Sequence, residues 1–133
     1  MTKGCCKMPT TESEWQDLRD FFALEMMEYK IGYIGGWRAY FTPEPIPMFQ
    51  MYVKDWCPDC KIAQAMLILK TILAKAGKHA TAELMIRILP NRCRVTIQNW
   101  VATGGTPASL VRSPYVDNEM QAICLAAEEW LKA

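Results

Sequence analysis

The sequence predicts an α/β fold, with one globular domain preceded by an N-terminal extension. Its 133 residues are 51% hydrophobic, which is enough to bury one continuous core. From Met48 onward, segments with the two-residue period of strands alternate with segments that have the helical period. The three prolines between Thr42 and Pro47 oppose regular structure and mark a boundary. We therefore expect an extension over residues 1–47 and a domain over residues 48–133.

The extension contains a predicted amphipathic helix over residues 11–29. Thr11 and Glu14 have the spacing of a capping box. Apolar side chains recur on one face of this helix at Trp15, Leu18, Phe22, Met26 and Tyr29. An isolated helix of this length is marginal in water, so we expect the face to pack on the domain or to form a homodimer with a second copy. A short strand is predicted at residues 37–41.

The first half of the domain is predicted to contain a strand and then a helix. Residues 48–53 are a short apolar run suited to a buried strand. A helix is predicted over residues 62–76, because its apolar side chains form one stripe, and Gly77 is a natural C-terminal end. The stripe consists of Ile62, Ala65, Met66, Leu69, Ile72, Leu73 and Ala76.

The second half begins with a strand and a segment that has two interpretations. Residues 82–89 alternate between apolar and charged side chains, which predicts a strand that Pro90 ends. In the next segment, Val95-Thr96-Ile97 favours a strand. The residues Cys93, Ile97, Trp100 and Val101 instead fit one helical face, with Asn91 as the cap. We predict a helix there.

A strand and a helix complete the predicted domain. Residues 108–111 read as a strand, and a very short strand is expected at Tyr115-Val116. Asp117 or Asn118 then caps a final helix that runs to Leu131.

Charge and hydropathy argue against two classes of partner. Lys and Arg total 15 while Asp and Glu total 14, so no net field would concentrate nucleic acid or an anionic membrane. The chain has no uncharged apolar run of about 18 residues, and its first residues lack the apolar run of a secretory signal. We therefore expect a soluble cytoplasmic protein without a nucleic-acid or membrane partner.

The candidate functional residues are Cys57 and Cys60, since they alone among six cysteines form a local pair with an informative interval. Two cysteines separated by two residues at a helix start can close a small disulfide. The helix dipole and the N–H groups of the first turn then stabilise the first thiolate, and such motifs lower the cysteine pKa from about 8.5 to between roughly 3.5 and 7.5. We therefore expect Cys57 to attack a disulfide, and Cys60, one turn on and facing inward, to resolve the mixed disulfide.

Trp56-Cys57-Pro58-Asp59-Cys60 resembles the strand-to-helix redox motif of the thioredoxin superfamily. Thr106-Pro107, followed by a predicted strand, resembles the threonine and cis-proline that face the cysteines in that family. The resemblance covers about residues 48–133 and implies a thioredoxin-like fold, with a central mixed sheet flanked by helices. It also implies that Pro58, Thr106 and Pro107 contact the substrate. Trp56 is a large aromatic residue next to a cysteine, so it either packs under the loop or presents a partner-binding surface, and we expect the second.

Lys54, three residues before Cys57, is similar to the lysine of glutaredoxins that helps to hold the glutathione carboxylate. The resemblance therefore implies glutathione as a cosubstrate and no bound cofactor. Asp59 stands where glutaredoxins usually have an aromatic residue, and no Gly-Gly pair precedes the last helix. A reductase is accordingly the other expected electron donor.

The expected function is that of a thiol-disulfide oxidoreductase, which exchanges electrons with a disulfide-bearing protein or with glutathione. Two alternatives remain open. One is a protein-interaction module that keeps the thioredoxin fold without turnover, using the apolar face of the N-terminal helix. The other is a structural zinc site, since Cys-x-x-Cys is also half of such a site. It would need two further ligands, for which His79 and Cys93 are the candidates; we expect no metal.

Overall fold

Two small antiparallel sheets, each in its own compact unit, make up the fold. The computed structural model describes residues 9–43, 45–77, 79–87, 92–100 and 107–132. The units are Pro9–Cys57 and Pro58–Ala133, and each contains one three-stranded sheet. The predicted central mixed sheet of a thioredoxin-like fold is therefore wrong, because the described strands pair only in antiparallel fashion and in two separate sheets.

The first unit begins with helix α1, Glu12–Phe21, which continues as a π-helical turn over Phe22–Met26. The predicted capping box is confirmed, since the Glu14 N–H donates to Thr11 Oγ1 at 3.1 Å and the Thr11 N–H donates to Glu14 Oε1 at 3.2 Å. The predicted inner face is confirmed at Leu18, Phe22 and Met26, which are buried.

A three-stranded meander forms the rest of the first unit. Its strands are β1, Lys30–Ile34, β2, Trp37–Phe41, and β3, Phe49–Tyr52, in the order β1-β2-β3. Gly35 and Gly36 join β1 to β2 with φ angles of 57° and 85°, which suits the two-residue turns whose twist matches that of the strands. β3 was expected to open the central sheet of the domain. It pairs instead with β2 of the predicted extension.

Tyr40 on β2 connects this sheet to α1 through a side-chain hydrogen bond. Its side chain is fully buried, and its hydroxyl donates a hydrogen bond of 2.9 Å to Asp20 Oδ1. Burial raises the pKa of the Tyr40 phenol well above its usual value, and the hydrogen bond to Asp20 and the negative charge of Asp20 raise it further.

The second unit consists of two helices and a second meander. Helix α2, Ile62–Ala76, is confirmed with its predicted bounds and is followed by Gly77 at a φ of 102°. The strands are β4, Ala80–Arg87, β5, Arg92–Trp100, and β6, Pro107–Arg112, in the order β4-β5-β6. The last helix is α3, Glu119–Lys132, and Asn118 caps it because the Gln121 N–H donates to Asn118 Oδ1 at 2.7 Å.

The helix predicted after Asn91 is wrong, because Arg92–Trp100 is the central strand β5 of the second sheet. Cys93, Val95 and Ile97 are buried at alternate positions along it, and α3 packs against this strand. Val116 forms an isolated antiparallel bridge with Cys93, which confirms the very short strand expected there. None of the described helices combines the length and the apolar composition needed to cross a membrane.

Candidate functional site

Cys57-Pro58-Asp59-Cys60 forms a turn between Trp56 and α2, which we call the cysteine loop. Cys57 and Cys60 are joined by a disulfide. Cys60 is exposed and Cys57 is half-buried, while Pro58 and Asp59 are buried. The expectation that Cys60 faces inward is therefore wrong, and Cys60 is the more exposed residue of the pair.

The cysteine loop precedes the helix and does not open it. α2 begins at Ile62, with Lys61 as the N-cap residue and no side-chain cap. The effect of a helix dipole falls off within the first turn. Cys57 lies five residues before the first residue of the helix, so the stabilisation of its thiolate by α2 stays a prediction.

Asp59 is the functional residue whose contribution the sequence did not reveal. Its side chain is only 7% exposed, and its Oδ2 lies 3.8 Å from Cys60 Sγ. When the disulfide is reduced, this distance allows an S–H hydrogen bond to the carboxylate. The ligand atoms of Cys57, Asp59 and Cys60 all lie within 4.8 Å of one another. A signal was present in the sequence, since a carboxylate within Cys-x-x-Cys adds a third donor to the two sulfurs.

Trp56 and Pro58, both expected to contact a substrate, are buried. Trp56 is 1% exposed, and its Nε1 donates a hydrogen bond of 2.9 Å to the backbone carbonyl of Arg19. Pro58 is also among the fully buried side chains. Both residues contribute to the packing beside the cysteines, which for Trp56 is the first of its two expected roles, and a substrate contact at either residue stays a prediction.

Lys54 is exposed, and its ammonium group lies over two aromatic rings. Its Nζ is 4.3 Å from the centroid of the Trp37 ring and 5.6 Å from that of Tyr52. Such cation–π contacts are worth about 0.5–1 kcal/mol at exposed sites. Lys54 also borders an open cleft of about 410 Å³ in the first unit. The cleft is lined by Gln16, Gly36, Trp37, Arg38, Val53 and Lys54.

The second predicted substrate contact, Thr106-Pro107, is only partly described. Thr106 lies outside the described residues. Pro107 is the first residue of β6, where its backbone is opposite Trp100 of β5. The central sheet that would carry this proline to face the cysteines is not formed.

The two further zinc ligands named from the sequence do not join the cysteines. His79 is exposed in a turn, whereas Cys93 is buried and its Sγ donates to the Val116 carbonyl at 3.5 Å. Burial raises the pKa of the Cys93 thiol, and the negative charges of Glu119 and Asp117 add to this effect. Within the described part of the chain, the group with metal-binding geometry is Cys57, Asp59 and Cys60.

Comparison with known proteins gives no assignment. The chain matches no protein-family model, and neither the curated proteins nor the solved structures contain a match to it. Any function must therefore be argued from the cysteine loop and its surroundings.

Proposed function

We propose that the protein is a thiol-disulfide oxidoreductase whose working group is the Cys57–Cys60 couple. One observation carries the proposal: a disulfide closes the four-residue cysteine loop, with one exposed cysteine and a buried carboxylate beside it. The proposal rests on this local chemistry and does not require a thioredoxin-like fold.

The small size of the loop favours a redox role over a cross-linking role. In the chain-entropy description, a ring of four residues stabilises a fold by about 2 kcal/mol, against about 3 kcal/mol for a ring of fifteen. Cys93 and Cys124 remain thiols in the core, which fits the reducing conditions of a cytoplasmic location. A disulfide in so small a ring contributes less stability than one that closes a longer loop, so it can open and close while the units stay folded.

The exchange begins at Cys60, because it is the more exposed residue of the pair. A partner thiolate attacks Cys60 Sγ, the Cys57–Cys60 bond breaks, and Cys57 leaves as a thiolate that takes up a proton. A second partner thiolate then attacks the partner sulfur of the mixed disulfide and releases Cys60. The partner dithiol loses two electrons and becomes a disulfide, while both cysteines gain protons. Asp59 lies where it can deliver the proton to Cys60 and remove it in the reverse reaction.

Mixed-disulfide trapping tests this order of attack. All variants carry Cys5→Ser and Cys6→Ser, so that the N-terminal thiols do not react. We expect Cys57→Ser to accumulate more mixed disulfide than Cys60→Ser, because it keeps the more exposed cysteine. Both variants should lose turnover of a small disulfide or of insulin. More trapping by Cys60→Ser would restore the sequence-based assignment of Cys57 as the attacking thiol. If both cysteine variants turned over the disulfide substrate as fast as the protein with Cys57 and Cys60 intact, the proposed oxidoreductase activity of this couple would be refuted.

The electron donor is either glutathione or a reductase. Lys54→Ala removes the ammonium group that was expected to hold the glutathione carboxylate. We expect a several-fold loss of glutathione-dependent rate with an unchanged rate with dithiothreitol, since one exposed charge contributes about 1 kcal/mol at most. Equal losses with both reductants would remove glutathione recognition from the proposal. No wild-type rate with glutathione would assign the reduction to a reductase.

A second candidate function is metal binding by the reduced cysteine loop. It is favoured by Asp59, which adds a carboxylate oxygen to the two sulfurs within 4.8 Å. Three protein ligands are the number found in zinc sites that keep one position open. Disulfide formation and metal binding exclude each other at these sulfurs, so oxidation would release the ion.

Cadmium titration tests the metal site, because thiolate coordination produces a charge-transfer absorption in the ultraviolet. We expect one equivalent to bind to the reduced protein and none to the oxidised protein. Asp59→Asn should weaken binding, and Cys93→Ala serves as the matched control because Cys93 lies outside the group. Binding that is identical in wild type and Asp59→Asn would exclude Asp59 as a ligand.

A further inference from the structure

Within the described residues, strand β4 forms an unpaired edge of the second sheet. It is eight residues long and pairs with β5 on one side only. Among the described strands, none pairs with its other edge. The backbone N–H and C=O groups along an open edge are a template for a further strand. Natural edge strands are usually protected by short length, by proline or by charged side chains.

The centre of β4 lacks such protection, since Leu84, Met85 and Ile86 are consecutive and apolar. Their exposed fractions are 46%, 57% and 57%. The residues opposite Leu84 and Ile86 on β5 are Val95 and Cys93, and both of these are buried. The sheet is thus buried at these positions of β5, whereas the three apolar residues of β4 remain exposed. On β4, Met85 also accepts a hydrogen bond of 3.3 Å from the Tyr115 hydroxyl.

An apolar cavity of about 390 Å³ lies beside this edge. It is formed mainly by α2 and β4, and its lining includes Ile62, Met66, Ala82 and Leu84. Ile62 and Met66 are also exposed. The uncovered apolar surface is therefore continuous from the edge strand to the outer face of α2, as expected for a surface that receives a partner.

The sequence of β4 is complementary to itself about Met85. In an antiparallel pair of two β4 strands with the two-fold axis at Met85, Leu84 is opposite Ile86 of the second copy. Position 83 is opposite position 87 of the second copy, and the sequence has residues of opposite charge, Glu83 and Arg87, at these two positions. Apolar pairs and opposite-charge pairs at directly opposed positions are both stabilising.

We propose that β4 is a dimerisation strand, which joins two copies of the chain in one six-stranded antiparallel sheet. Each copy uses the same surface, as required of a closed two-fold contact. Ile86 of the second copy lies beside Leu84 and extends the apolar wall of the cavity. Self-complementarity in both charge and hydropathy favours a second copy over an unrelated peptide. This inference is independent of the redox proposal and involves neither cysteine of the loop.

Sedimentation velocity tests the dimer over concentrations from about 1 μM to about 1 mM. We expect a reversible monomer–dimer equilibrium in the wild type and at least a ten-fold weaker association in Ile86→Lys. The matched control is Leu110→Lys, because Leu110 is a similarly exposed apolar residue on β6, the opposite edge of the same sheet. The control should dimerise as the wild type does. Circular dichroism melting establishes that both variants remain folded.

A charge exchange tests the register. Glu83→Arg and Arg87→Glu should each weaken association several-fold, because like charges then face each other at two positions. The double variant should recover wild-type association, and an equimolar mixture of the two single variants should form heterodimers. A wild type that is monomeric throughout the concentration range would overturn the proposal. So would equal association of wild type and Ile86→Lys, or failure of the double variant to recover.

Discussion

The indole Nε1 of Trp56 donates a hydrogen bond to the backbone carbonyl of Arg19 in α1, at 2.9 Å. Trp56 directly precedes Cys57, and its ring is almost completely buried. The bond therefore fixes the chain at the entrance to the cysteine loop against a helix of the first unit. The same residue that the sequence suggested as a binding surface is an anchor in the core.

Trp56→Phe should lower the free energy of unfolding by about 1–3 kcal/mol, because it removes this hydrogen bond and leaves a cavity. Urea denaturation measures the loss. Trp37→Phe is the matched control, since Trp37 is exposed, and it should cost little. Equal losses in the two variants would contradict the role of the buried indole.

Ionisation of Tyr40 should lower the free energy of unfolding as the pH rises into the alkaline range. Its pKa is raised in the folded state, chiefly by burial, so its contribution is complete below the unfolded tyrosine pKa of about 10 and declines as the pH rises above that value. Unfolding free energies measured from about pH 8 upward should therefore fall less steeply in Tyr40→Phe than in the wild type. Tyr33 is exposed, so the Tyr33→Phe control should lose stability with rising pH as steeply as the wild type does. If Tyr40→Phe also lost stability as steeply as the wild type, the buried Tyr40 phenol would not be the cause of the alkaline destabilisation.

Lys54 and Trp37 should be energetically coupled. A double-mutant cycle with Lys54→Ala and Trp37→Ala should yield a coupling free energy of about 0.5–1 kcal/mol in urea denaturation. Lys54→Met keeps most of the side-chain length and removes the charge, so a cycle with this variant should show a smaller coupling. If the cycle with Lys54→Met gave the same coupling free energy as the cycle with Lys54→Ala, the contact would be apolar packing and not a cation–π interaction.

The four cysteines in the described part of the chain should separate into two classes during alkylation followed by site-resolved mass spectrometry. Cys57 and Cys60 should react with iodoacetamide in the native protein only after reduction, with Cys60 the faster because it is more exposed. Cys93 and Cys124 are buried thiols, and the raised pKa of Cys93 further lowers its thiolate fraction. Both should react only after denaturation. Native-state labelling of Cys93 as fast as that of reduced Cys60 would contradict the burial described.

Local patterns predicted α1 and α2 well, because caps, apolar stripes and Gly77 are signals contained within a few residues. β5 could not be distinguished in this way. Cys93 and Ile97 are four residues apart, and this spacing places them on one face in both a strand and a helix. Val95 was the informative residue, since it shares their face only in a strand. Pairing with β4 and β6 decided the outcome, and no local pattern contains that information.

The sequence identified the two cysteines of the site. It did not predict which side chains around them are buried and which are exposed. The Cys-x-x-Cys spacing indicated the disulfide, whereas the exposure of Cys60 and the burial of Trp56 and Asp59 depend on the surrounding fold. The resemblance to a redox motif rested on a few residues, and these do not determine how the strands pair. The Gly35-Gly36 turn joins β1 to β2, and β3 pairs with β2 in that sheet. The sequence motif near the cysteines contains no information about this pairing.

In both sheets, strand order in space equals strand order along the chain. Neighbouring strands that follow one another close only short loops, and folds dominated by such local contacts form quickly. The strands of the first sheet all lie within Pro9–Cys57, so their pairing needs no residue made later on the ribosome. Synthesis therefore delivers Cys57 at the end of a segment whose sheet can already form, before Cys60 and its thiol have emerged.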